Sequence, residues 1–168
     1  MFLSNVVLIS DCSVRKLYAQ SSIHNSHDNL NSTQLSTWKM NKKKLKVMIV
    51  EDEEDIMILY KDFLSGKGHD VTTMYLNGDV RFEEINEAKC EIFLIDYRLP
   101  GSKNGVDIAI QILDNLPSAP ILFITAYENL HKEISKNSIF HGKNIEVLLK
   151  PVKLDKIEST MVSLMNKK

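Results

Sequence analysis

The sequence predicts an α/β fold, a (βα)5 unit in which five parallel strands form a doubly wound sheet with helices on both faces. Two observations predict it. After residue 44, short apolar runs alternate with amphipathic segments five times, the pattern of βα units rather than of hairpins. The runs are also nearly continuous in apolar character, as in KVMIV (46–50), IFLI (92–95) and PILFIT (120–125). Such composition belongs to strands buried on both faces, as parallel strands are.

The chain has 168 residues, which suits one domain or one domain plus a tail. A formal net charge of -1 gives no general basic surface for nucleic acid. No apolar run approaches the length needed to span a bilayer. Cys12 and Cys90 are far apart and lack metal-type spacing, and Cys90, at the head of an apolar run, reads as a reduced core thiol. A cytoplasmic protein is expected.

Residues 1–44 are expected to form a disordered or loosely ordered extension. Residues 21–37 are mostly Ser, Asn, His and Gln with few apolar anchors, too little to offset the entropy of ordering. No basic leader precedes a longer apolar core, so a signal peptide fits poorly. Met40 offers an alternative start directly before the first strand. His24 and His27 read as solvated tail residues, since nothing nearby completes a metal site.

The folded part is expected over 45–168. A first strand, 46–50, is followed by the acid cluster Glu51-Asp52-Glu53-Glu54-Asp55 and a helix with Ile56, Leu59, Tyr60, Phe63 and Leu64 on its apolar face. Gly66 and Gly68 close that helix. A second strand is expected over 70–76, then a turn at Asn77-Gly78-Asp79 and a short helix over 80–88 with Phe82 and Ile85 inward. The third strand, 92–95, runs into Asp96, and Pro100-Gly101 forces a loop. A helix opens at Gly105 with Val106, Ala109, Ile110 and Leu113 on one face. The fourth strand, 120–125, ends in Thr125. A polar segment holds a helix up to about Asn137 and a loop around Gly142. The fifth strand, 145–149, ends in Lys150-Pro151, and Leu154, Ile157, Met161, Leu164 and Met165 stripe the last helix.

In a parallel sheet the strand ends share one edge, and ligands of open α/β sheets collect there. That edge gathers Glu51, Asp52, Asp96, Thr125 and Lys150. Each has an ordinary explanation: helix-dipole acids for the first pair, a turn former at Asp96, a strand-favouring Thr125, a surface lysine before proline. Together they form a coherent set. Three carboxylates repel one another near a low-dielectric core, and an oxygen-seeking divalent ion such as Mg²⁺ removes the conflict. An ammonium and a hydroxyl beside it suit a phosphoryl group. Asp96 would be the nucleophile.

From residue 45 to 165 the chain resembles a response-regulator receiver domain of two-component signalling, in the single-domain, chemotaxis-regulator style. The residues that carry the resemblance are VEDE (50–53), DYRLPG (96–101), ITA (124–126) and KP (150–151). It implies a flavodoxin-like sheet of strand order 2-1-3-4-5. It implies that Asp96 takes a phosphoryl group from the phosphohistidine of a sensor histidine kinase or phosphotransfer protein. Glu51, Asp52, Asp96 and the backbone carbonyl of Arg98 would hold Mg²⁺, with Thr125 and Lys150 on the phosphoryl oxygens and a cis peptide before Pro151. A stand-alone phosphoacceptor is expected, not an enzyme beyond weak autodephosphorylation. It would act on a downstream protein effector, without direct contact to nucleic acid or membrane, as a monomer or phosphorylation-dependent dimer.

The chain departs from the family pattern in three places. The usual aromatic switch position, three before the lysine, is Val147, and Tyr127 and Phe140 are the candidates to substitute. The SKNG loop (102–105) is one residue longer than the common spacing, and the segment between Thr125 and Lys150 is long. Val147 gives weight to a rival reading, a pseudo-receiver that only binds proteins. A metal-dependent phosphohydrolase would need a second acid two residues beyond the nucleophile, where this chain has Arg98.

Overall fold

The computed structural model describes residues 43–74 and 89–167. The expectations for residues 1–42, for the turn at 77–79 and for the helix over 80–88 lie outside them. Strands β1 (Lys46–Val50), β2 (Asp70–Met74), β3 (Ile92–Ile95), β4 (Ile121–Thr125) and β5 (Ile145–Leu149) form one parallel sheet. Their order is β2-β1-β3-β4-β5, the doubly wound flavodoxin-like order. Among the described residues four α-helices accompany them: α1 (Glu54–Gly66), α2 (Gly105–Asn115), α3 (Leu130–Lys136) and α4 (Leu154–Asn166), with a 3-10 turn at Ser138–Phe140.

The apolar runs are continuous because successive residues serve two cores. Met48, Val50, Phe93, Ile95, Ile121 and Phe123 face one side, where they pack with Val106, Ala109 and Ile112 of α2, Leu130 and Phe140. Val47, Ile49, Ile92, Leu94, Leu122 and Ile124 face the other, against Tyr60 and Leu64 of α1 and Ile157, Met161 and Leu164 of α4. The period-two alternation of a strand thus fills both faces. Edge strand β2 alternates between exposed and partly buried positions until Met74. Cys90 is half-buried, and burial pushes its thiol pKa up, as expected of an inert thiol.

Some local expectations shift. Leu59 was placed on the inward face of α1, but it is 50% exposed, as is Ile58 at 45%. Met57 takes its place beside Ile56 and Phe63. The buried stripe centres on Tyr60 and Leu64, and Leu59 lies roughly a quarter turn away at about 100° per residue. Helix α2 buries Ile108 and Ile112 as well as Val106, Ala109 and Leu113, while Ile110 is only partly buried. Strand β4 starts one residue later than expected, at Ile121, although the Pro120 carbonyl still accepts from the Phe93 N–H at 3.1 Å. The turn after α1 is tied to α4: Lys67 reaches Asp155 (3.1 Å) and the buried Glu158 (3.3 Å).

Two residues at the start of α2 fix the backbone behind Asp96. The Asn104 side chain accepts from the N–H groups of Val106 and Asp107, and the Asp107 carboxylate accepts from the Asn104 N–H, a complete capping box. Gly105 then donates its N–H to the Tyr97 carbonyl at 2.9 Å. A Cβ at position 105 would overlap the Asp96 carbonyl oxygen, so only glycine allows this approach. In urea unfolding, Gly105→Ala is expected to cost about 1–3 kcal/mol and Asn104→Ala about 1 kcal/mol. An unchanged midpoint for Gly105→Ala would show that the α2 terminus does not brace the Asp96 peptide.

Candidate functional site

The carboxyl edge of the sheet is where the polar strand ends meet. Glu51 follows β1 and is only 2% exposed, and Asp96 follows β3 at 7%. The Asp96 N–H donates to the Val50 carbonyl at 3.0 Å, so the β1–β3 ladder runs one residue past β3 and carries the carboxylate with it. Asp52 is half-buried. Single carboxylate oxygens of Glu51, Asp52 and Asp96 lie within 4.8 Å of one another.

Lys150, the residue after β5, brings the balancing charge. Its Nζ donates to Asp96 Oδ2 at 2.8 Å and to Glu51 Oε2 at 2.9 Å. The remaining oxygens take backbone donors: Asp96 Oδ1 accepts from the Arg98 N–H (3.3 Å) and Glu51 Oε1 from the Glu53 N–H (3.4 Å). Burial raises the Glu51 pKa, with repulsion from Asp96 adding to it, while the hydrogen bond and charge of Lys150 pull it back only in part. Burial opposes the Lys150 ammonium, but the hydrogen bonds and charges of Asp96 and Glu51 together outweigh it, so Lys150 stays firmly cationic. The Lys150–Pro151 peptide is cis.

Thr125 is fully buried at the end of β4. It pairs with Leu149 across the β4–β5 ladder, its carbonyl accepts from the Lys150 N–H at 2.9 Å, and its Oγ1 accepts from the Tyr127 N–H at 3.2 Å. Val147 is a core residue on β5, 8% exposed, and pairs with Phe123. Phe140 is likewise committed to the core at 5% exposure. Tyr127 is only half-buried and stacks on Tyr97, with ring centroids 4.4 Å apart and planes 15° from parallel. Sequence reasoning missed this stack. The two tyrosines do occupy corresponding places in the loops after β3 and β4, which was the one available signal.

The arrangement suits a small hard cation next to a tetrahedral anion. Three carboxylate oxygens within 4.8 Å of one another could hold a small hard ion such as Mg²⁺, which takes one or two carboxylates and fills its remaining positions with water and phosphate oxygens. Soft metals have no partner in this donor set, which is all carboxylate. The ammonium and the hydroxyl stand on the neighbouring strand ends. No helix among the described residues is long and apolar enough to cross a membrane.

Comparison with known proteins agrees with this geometry. The sequence profile of the response regulator receiver domain matches residues 47–161. The transcriptional regulatory protein RprY of Bacteroides fragilis is 25% identical over 118 residues, covering 68% of this chain and 47% of that one. The chemotaxis protein CheY of Thermotoga maritima is 30% identical over 81 residues, 48% of this chain and 67% of that one. Among solved structures, the receiver domain of NtrX from Brucella abortus superposes with a TM-score of 0.61 at 25% identity, over 73% of this chain and 99% of that one. The chain spans about half the length of curated relatives such as RprY. From the profile match and the shared fold, the chain belongs to the response regulator receiver domains of two-component systems, whose members are phosphoacceptors.

Proposed function

We propose that Asp96 is the phosphoacceptor and that the chain switches partner binding when a phosphoryl group is transferred to it from a phosphohistidine. The donor is a sensor histidine kinase or a phosphotransfer protein, and the reader is a downstream protein effector. The observation that carries this reading is the convergence of Asp96, Glu51, Asp52 and Lys150 on one sheet edge, with a lysine–Asp96 contact of 2.8 Å.

In the transfer, an Asp96 carboxylate oxygen attacks phosphorus in line as the P–N bond to the histidine breaks. The imidazole leaves with the bond's electron pair and takes up a proton. Glu51, Asp52, Asp96 and the Arg98 carbonyl would hold Mg²⁺, which when bound supplies charge neutralisation to the phosphoryl oxygens. Lys150 now bridges Glu51 and Asp96, and its ammonium turns to a phosphoryl oxygen when one arrives. Thr125 donates its hydroxyl proton to another oxygen. The modification adds about -1.5 to -2 charge at a strand end, which favours a conformation that binds the effector. Water attack on the acyl phosphate resets the switch.

With acetyl phosphate and Mg²⁺, intact-mass measurement is expected to show one added phosphoryl group on the wild type. None is expected on Asp96→Asn or after chelation. Incorporation that survives Asp96→Asn would remove the proposal. Without the Lys150 ammonium, two buried carboxylates face each other. Lys150→Met is therefore expected to destabilise the metal-free protein by about 1–3 kcal/mol in denaturant, because the pocket's partial opening to water limits the cost of an orphaned charge. Added Mg²⁺ should recover more stability in the variant than in the wild type, since it binds where the ammonium stood. Equal recovery in both would mean that cation and ammonium do not share the site.

A further inference from the structure

The Tyr97–Tyr127 stack links the proposed acceptor to a helix that lies outside the site. Tyr97 directly follows Asp96 in the chain. Tyr127 begins two residues past Thr125, and its N–H is held by the Thr125 hydroxyl oxygen at 3.2 Å. The rings lie nearly parallel at 4.4 Å, so the loops after β3 and β4 touch through this pair. Beyond it, the Tyr127 carbonyl accepts from the N–H of Leu130, the first residue of α3, at 3.2 Å. Burial raises the Tyr97 pKa, and the nearby carboxylate of Glu133 on α3 adds to the rise. At the same time Val147 and Phe140 are both core residues. Both tyrosines are half-buried.

We infer that Tyr97 and Tyr127 are positioning residues that carry the state of Asp96 to α3 through their stacked rings. This rests on the phosphoacceptor reading above. A hydroxyl bound to a side-chain-to-backbone turn two residues on holds that backbone in place. When the Thr125 hydroxyl moves toward a phosphoryl oxygen, its hold on the Tyr127 N–H is lost. Tyr127 shifts, the stack on Tyr97 re-forms in a second arrangement, and the start of α3 follows because the Leu130 N–H donates to the Tyr127 carbonyl. The modification is thereby read on α3 without an aromatic on β5.

Hydrogen exchange of residues 130–136, followed by mass spectrometry with and without beryllofluoride and Mg²⁺, tests this. In the wild type the exchange rate there is expected to change at least about fivefold, the lower end of ordinary coupling between sites. Tyr127→Phe, which keeps the stack, should retain the change. Tyr127→Leu and Tyr97→Leu should each lose it while still accepting a phosphoryl group from acetyl phosphate. Full retention in both leucine variants would overturn the inference, as would a wild type that is phosphorylated with no change over 130–136. Folded leucine variants that no longer accept the phosphoryl group would also overturn it, because the rings would then be acting in the chemistry. A wild type with no Asp96-dependent phosphorylation would overturn this inference and the phosphoacceptor reading together.

Discussion

Two buried carboxylates held by one ammonium are the constraint on which the rest of this structure turns. Glu51 and Asp96 are nearly sealed from solvent, and Lys150 spans them with bonds of 2.9 and 2.8 Å. Like charges at such separation in a low-dielectric setting are unfavourable unless a cation is shared between them. Burial above all raises the Glu51 pKa, and the hydrogen bond and charge of Lys150 pull it back only in part. A stability-driven design would replace such a cluster with apolar side chains. Its presence at the ligand-binding edge of a doubly wound sheet is what a functional site looks like.

The sheet is what makes the cluster possible. Strands β1 and β3 are neighbours, so their last residues deliver Glu51 and Asp96 side by side. β4 lies between β3 and β5, which puts Thr125 between the acids and the lysine in the order of the sheet. The strands in turn are fixed because each buries side chains on both faces, and a slip of one residue would exchange the two cores. Behind β3, the glycine at the head of α2 packs on the Asp96 carbonyl. The carboxylate is thus held from the backbone side while its oxygens stay in the pocket.

Much of this was legible in the sequence. β1, β3 and β5 coincide with their apolar runs, because a both-face-buried strand needs no alternation and ends where polarity returns. For the same reason the polar residue that ends each run marks the sheet edge, and Glu51, Asp96, Thr125 and Lys150 group together from the sequence alone. Leu59 was misjudged because an i, i+3, i+4 pattern fits two overlapping faces of α1, and only the neighbours of Tyr60 and Leu64 decide between them. The tyrosine stack and the Lys67–Glu158 contact join loops and helices far apart in the chain, and no local periodicity encodes such pairs. The need for glycine at 105 likewise arises only from a tertiary approach.

A crystal structure of the protein with Mg²⁺ and beryllofluoride tests the central claim most directly. Beryllium is expected on an Asp96 oxygen, with Mg²⁺ at about 2.0–2.1 Å from carboxylate oxygens of the acid cluster and the Lys150 Nζ moved from Glu51 to a fluoride. Beryllofluoride bound away from Asp96, or a Lys150 still bridging Glu51 and Asp96 beside the bound metal, would contradict it.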